Sequence, residues 1–331
     1  MQWFIRIFLC VATVACSESS NGTGVFVDMS MPGRALFDMH TPETDMHAPN
    51  HAGNTDAAAP VMQDAAVVDA SMPNAGTFGI EGISPDDDLA QFFNKRVVVF
   101  GIQIVGTARL PRAKLLHAAH VMAEYLDNDE DGQADDPAVV TAMVNARSVL
   151  VMAQTPDELE SSGLFESPIL SRYAGQDLYG EETNEPGRFD ATLEEVLHLI
   201  SNYGYASVYP DAFGTDPGTL LSNAMDLARG GQFLRVPNEY PSDAWYTYDD
   251  RTCQYECMAT EYFYWGLTSI LGAQQSQDRC AAIRREWHLC TRAEVQMRDT
   301  ALYALLTDPQ YKLPTRLPTG EYAPSWNVSS E

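Results

Sequence analysis

The chain has 331 residues, 45% of them hydrophobic, enough to bury one sizeable core or two small ones. Lys and Arg total 20 against 46 Asp and Glu, for a net charge of −26. A surface of that sign repels phosphate, which excludes nucleic acid as a partner and disfavours anionic lipid surfaces.

The N-terminus reads MQWFIRIFLCVATVACSESS: an early Arg, then an apolar run too short to span a bilayer. This is the pattern of a signal peptide over residues 1–16. The run TVAC followed by Ser17 resembles a bacterial lipobox, with Cys16 as the lipidated residue and Thr13 where Leu is usual. The resemblance implies an exported chain that meets a membrane only through an N-terminal lipid anchor, at the cell surface or outer membrane; plain secretion is the alternative. Residues 17–77 are rich in Ala, Asp, Pro and Met and have no usable period, as in a disordered linker. Within them Met39, His40, Met46, His47 and His51 form a thioether–imidazole cluster of the kind that takes copper, or are simply part of a biased linker.

From residue 78 to 331 the composition is that of a globular domain. KRVVVFGIQIVGT (95–107) reads as one strand. A helix is expected over 111–127, opened by Pro111, then a second over PAVVTAMVNAR and a strand at SVLVMA. A short strand is expected at DLYGEET (177–183), and further helices near 190–202, 217–229, 257–272, 279–290 and 293–307. The fold class is therefore α+β and helix-rich.

Between the first two helices lies DNDEDGQADD. Asp127, Asp129 and Asp131 alternate and Gly132 permits a sharp turn; Gln133 offers a backbone carbonyl, and Asp135 and Asp136 close the set. Ca2+ takes six to eight such oxygens. The loop resembles the DxDxDG loops of EF-hand and dockerin-type modules, except that Ala138 stands where the EF-hand has its closing Glu. The resemblance implies a structural calcium ion clamping two helices; a solvated acidic turn is the alternative.

The stretch FDATLEEVLHLISNYGY (189–205) decides the functional reading. On a helical wheel Leu193, Val196, Leu197 and Ile200 share one side, and Glu194, Glu195 and His198 the other. Glu194 and His198 are one turn apart, as two ligands of one metal must be, with Glu195 beside them. An ordinary amphipathic helix with a wet polar face has the same pattern. Downstream, CMATEYFYWGLTSILGA is apolar but for Glu261, and a lone carboxylate on a buried helix needs a proton, a hydrogen bond or a metal. With these residues the chain resembles zincin-type metallopeptidases of the gluzincin kind over about residues 95–275, with EExxH in place of HExxH. The resemblance implies a zincin-like domain with a small sheet beside the active-site helix. Glu194, His198 and Glu261 would be metal ligands, Glu195 the general base, and a protein or peptide the substrate. Two carboxylates and one imidazole make a harder site than the usual set, so Mn2+ or Fe2+ joins Zn2+ as a candidate. Tyr203, Tyr205 and Tyr209 are candidates to steady an oxyanion, or packing residues. A di-iron bundle would need a second Glu-x-x-His, which the sequence lacks.

Past the signal region Cys253, Cys257, Cys280 and Cys290 remain, an even number that points to two disulfides in an exported chain. Three connectivities are open; a helical hairpin would favour Cys257–Cys280 with Cys253–Cys290. Structural zinc is the alternative. Three functions compete: a calcium-stabilised, metal-dependent hydrolase of the peptidase type, a non-catalytic calcium-binding adhesion or binding module, and metal capture by the Met/His linker.

Overall fold

The computed structural model describes residues 78–324. The signal peptide, the lipobox and the Met/His cluster lie outside the described residues.

Four strands form one mixed sheet in the order β1-β2-β3-β4. The single strand expected over 95–107 is instead a hairpin of β1 (Lys95–Val99) and β2 (Ile102–Gly106). Phe100 and Gly101 form its two-residue turn with φ of 48° and 87°, and two positive φ values in succession match the strand twist. Helices α1 (Arg112–Leu126) and α2 (Pro137–Asn145) cross over to β3 (Ser148–Ala153), parallel to β2. A short α3 (Pro156–Glu160) precedes β4 (Ala174–Tyr179), parallel to β3 and at the sheet edge.

β3 is buried along its whole length, and its side chains alternate between two cores. Leu150 and Met152 join the large helical core, while Val149, Val151 and Ala153 join a smaller one with Leu89, Phe93, Leu159 and Tyr173. The helical layer holds α4 (Thr192–Ile200), a π-turn at Ser201–Tyr205, the short α5 (Ala206–Val208) and α6 (Pro210–Phe213), α7 (Leu220–Arg229) and α8 (Tyr255–Leu271). α4 lies against β4 and α8. The chain is thus α+β and helix-rich, with a small sheet beside the EExxH helix.

The last third departs from expectation in two places. α9 (Gln277–Ile283) stops short of 290, and residues after it run back along residues 245–247, with Thr247 N–H donating to Glu286 O at 2.8 Å. The helix expected over 293–307 is two: α10 (Arg292–Arg298) and α11 (Thr300–Leu306). Asp299 breaks the run because its carboxylate has other partners. It caps Leu302 N–H and accepts from Trp245 Nε1 at 2.8 Å and Tyr262 OH at 2.6 Å.

The disulfides are Cys253–Cys257 and Cys280–Cys290, not the hairpin-bridging pairs. Cys253 and Cys257 flank the N-terminus of α8 with their Cα atoms 5.4 Å apart, within reach of a direct bridge. All four thiols are consumed, which removes the structural-zinc alternative. Bonds of this kind belong to chains that mature outside a reducing cytoplasm. Among the described residues no helix is long and apolar enough to cross a membrane.

Candidate metal centre

α4 is entered through Asp190, whose carboxylate accepts the N–H groups of Thr192 and Asn184 and pairs with His117 Nε2 at 2.6 Å. All of α4 is buried except Glu195, which is half-buried. Glu194 is 7% exposed and His198 5%. A polar face meeting water is therefore excluded: the polar side of the EExxH helix points into the protein. It points at α8, which brings Glu261, 4% exposed, to meet it.

One ligand atom each from Glu194, His198 and Glu261 lies within 4.8 Å of the other two. Residues 194 and 198 are joined by a helical turn, while Glu261 arrives from another helix, so tertiary packing makes the group. His198 Nε2 stands 3.6 Å from Glu261 Oε2. Both atoms are buried and neither has a hydrogen-bond partner. Orphaned buried polar atoms are rare because each forfeits its hydration. Two facing each other beyond hydrogen-bond distance fit a cation between them. A buried Glu–His–Glu group of this kind is able to hold a metal ion.

The surroundings add four residues that sequence reasoning did not place. Tyr248 OH donates to Glu261 Oε1 at 3.3 Å, leaving Oε2 free. It comes from the aromatic, acidic stretch before the first disulfide. The Tyr264 ring meets His198 edge-on, with centroids 5.6 Å apart. Gln176 on β4 donates from Nε2 to Glu195 Oε2 at 2.6 Å. Glu286, on the segment closed by Cys280–Cys290, feels the charge of Glu194.

Burial sets the protonation of these carboxyls. It pushes Glu261 up to about 8, offset in part by the charge of His198. It pushes Glu286 up to about 7, with Glu194's charge adding to the effect. Glu195 is raised well above the usual carboxylate range by burial and then by Glu194. Glu182, just past β4, reaches about 8 through burial and the charge of Glu195. Packing so many carboxyls together is unfavourable unless protons or a cation neutralise them.

Glu195 sits apart from the converging three: its Oε2 is 3.5 Å from His198 Nδ1. Two of the three candidate tyrosines point elsewhere. Tyr205 OH donates to Lys312 O and Tyr209 OH to Asp136 Oδ2, so both hydroxyls are taken by packing contacts.

In the acidic loop Asp127, Asp129 and Asp135 bring one oxygen each within 4.8 Å of one another. Asp131, Gln133 and Asp136 are not in that group. Asp131 accepts Gln133 N–H at 2.8 Å, and Asp136 caps α2 through Ala138 N–H. Asp127, fully buried, accepts Gly132 N–H and Tyr322 OH on Oδ2.

No protein-family model, curated protein or solved structure matches the chain, and the buried Glu194–His198–Glu261 group therefore stands on its own geometry.

Proposed function

We propose that the chain is an exported, metal-dependent hydrolase of the peptidase type, with Glu194, His198 and Glu261 holding a divalent transition ion. The carrying observation is that three buried ligands converge while His198 Nε2 and Glu261 Oε2 have no other partner. The resemblance of EExxH plus a later Glu to gluzincins supports the reaction class, and the disulfides support export. A bound ion would supply Lewis-acid activation of water and of a substrate carbonyl. The chain's own part is to fix Glu261 through Tyr248, hold the plane of His198 against Tyr264 and supply a proton acceptor. Two further carboxyls are candidates for that role: Glu195, the base that the EExxH resemblance assigns, and Glu286, which feels the charge of Glu194 and at about 7 is able to exchange a proton near neutrality. The donor set of two oxygens and one nitrogen suits Zn2+, Mn2+ or Fe2+. Calcium at Asp127, Asp129 and Asp135 belongs to the same proposal as a stabilising ion, supported by their convergence.

The test is metal analysis of purified wild type beside His198→Ala, with hydrolysis of a mixed peptide library by each. The wild type should carry about one transition ion per chain and cleave peptides, and the variant should lose both. Equal, near-zero metal in the two would sink the proposal in favour of a calcium-stabilised binding module.

A further inference from the structure

The imidazole of His198 is bracketed. Nε2 faces Glu261 Oε2 at 3.6 Å, and Nδ1, on the other side of the ring, faces Glu195 Oε2 at 3.5 Å. A neutral imidazole binds a metal through the nitrogen without a proton, so coordination by Nε2 requires the proton on Nδ1. Oε2 of Glu195 is an acceptor oxygen, since it takes the Gln176 amide, and an acceptor opposite Nδ1 favours that tautomer and holds the ring at a fixed rotation.

The carboxylate is itself held. Gln176 Nε2 donates to the same Oε2 at 2.6 Å, and Gln176 is carried by β4, whose backbone is locked to β3 in register, Gln176 opposite Leu150. The brace is thus anchored in the sheet and does not move with α4. Glu195 is meanwhile absent from the three residues whose ligand atoms converge. A group whose nearer oxygen serves the outer nitrogen of a ligand is ill-placed to reach a water on the ion.

We propose that Glu195 is a positioning residue: it orients His198 and keeps its proton on Nδ1, with Gln176 as the strand-borne brace. The inference rests on the metal reading above. It reassigns the base role that the EExxH resemblance gives to Glu195, and it explains why the edge strand meets this helix through a polar side chain.

The experiment uses the full chain and Zn2+ alone. Apparent zinc affinity is measured by competition with a chromophoric chelator for wild type, Glu195→Ala, Glu195→Gln and Gln176→Leu, with circular dichroism confirming each fold. In the zinc-free proteins, 15N shifts of His198, assigned by comparison with His198→Asn, report the tautomer. Glu195→Ala should lose zinc affinity on the order of 10- to 100-fold, and His198 should pass from one Nδ1–H form to a mixture. Glu195→Gln, whose amide oxygen still accepts from Nδ1–H, should recover most of both, and Gln176→Leu should fall between. Zinc affinity of Glu195→Ala within about two-fold of wild type, with an unchanged tautomer, would overturn the inference and return Glu195 to the role of base. A wild type that takes up no zinc overturns the metal reading and this inference together, and it shows before any variant is compared.

Discussion

Glu261→Gln should change the sign of its effect on stability when metal is added. The substitution is nearly isosteric and keeps an oxygen for the Tyr248 hydroxyl, but it removes the charge. In chelator, the wild-type carboxyl is raised from 4.5 to about 8, mainly by burial. At pH 7 the folded chain therefore keeps a proton that the unfolded chain has released. Folded-state pKa above unfolded pKa in an acid means that stability is highest below about 4.5 and is lost as pH rises toward 8. The ceiling at pH 7 is about 3.4 kcal/mol, at 1.36 kcal/mol per pH unit. Local relaxation and water penetration lower the cost of a buried charge, so about 2 kcal/mol is the working figure, or about 4–8 °C in Tm for a domain of this size. Glu261→Gln should thus melt higher than wild type in chelator at pH 7, and the difference should vanish near pH 4.5. With zinc at a hundred times the wild-type Kd, the wild type gains about 2.7 kcal/mol and the variant little, so the order reverses. Differential scanning calorimetry at two pH values, with and without zinc, reads all four arms. A variant that melts lower than wild type in chelator would refute the reasoning, because Glu261 would then be satisfied without metal.

Two further perturbations probe separate parts of the chain. Calcium should raise the Tm of metal-free wild type and leave Asp129→Ala unmoved, since Asp129 is one of three convergent loop carboxylates and is otherwise exposed; a flat calcium titration of the wild type removes the ion from the loop. Gly266→Val should cost about 2–3 kcal/mol by urea denaturation, because a Cβ there meets Leu302 Cδ2 at 2.4 Å and Leu306 Cδ1 at 3.0 Å where α8 packs on α11; an unchanged midpoint would mean that this contact relaxes freely.

What could be read from the sequence follows the range of the forces involved. α1, α2, β3, α7 and α8 were legible because local periodicity and the opening Pro111 and Pro137 fix them. The three-residue group was legible because two members sit one helical turn apart and the third is a lone carboxylate on an apolar helix. The hairpin was missed because Phe-Gly is a poor advertisement for a two-residue turn, and continuous β-branched residues hide a reversal. The break at Asp299 was missed because what ends the helix is reached from Trp245 and Tyr262, far away in sequence. The disulfide pairing depended on where α9 stops, which the extended pairing of residues 286–288 with 245–247 decides. Gln176 and Tyr248 carry no local signal: each acquires its role through one hydrogen bond to a distant carboxyl.

The acidic loop has a consequence for the order of events during synthesis. Its residues leave the ribosome early, yet several of its partners lie about 190 positions later. Tyr322 donates to Asp127, Thr315 and Arg316 donate their N–H groups to Asn128 Oδ1, and Ala323 N–H reaches Glu130. One turn earlier on α1, Glu124 takes the N–H groups of Thr319, Gly320 and Glu321. Until those residues emerge, Glu124 lacks these three donors and Asp127 has only the N–H groups of Asp131 and Gly132 in its own loop. Contacts of such long sequence separation form late, after the loop-closure entropy between the two ends has been overcome. The segment 315–323 is therefore a late-formed latch on the acidic loop, and a chain stalled before it leaves Glu124 without the three N–H donors that hold its carboxylate.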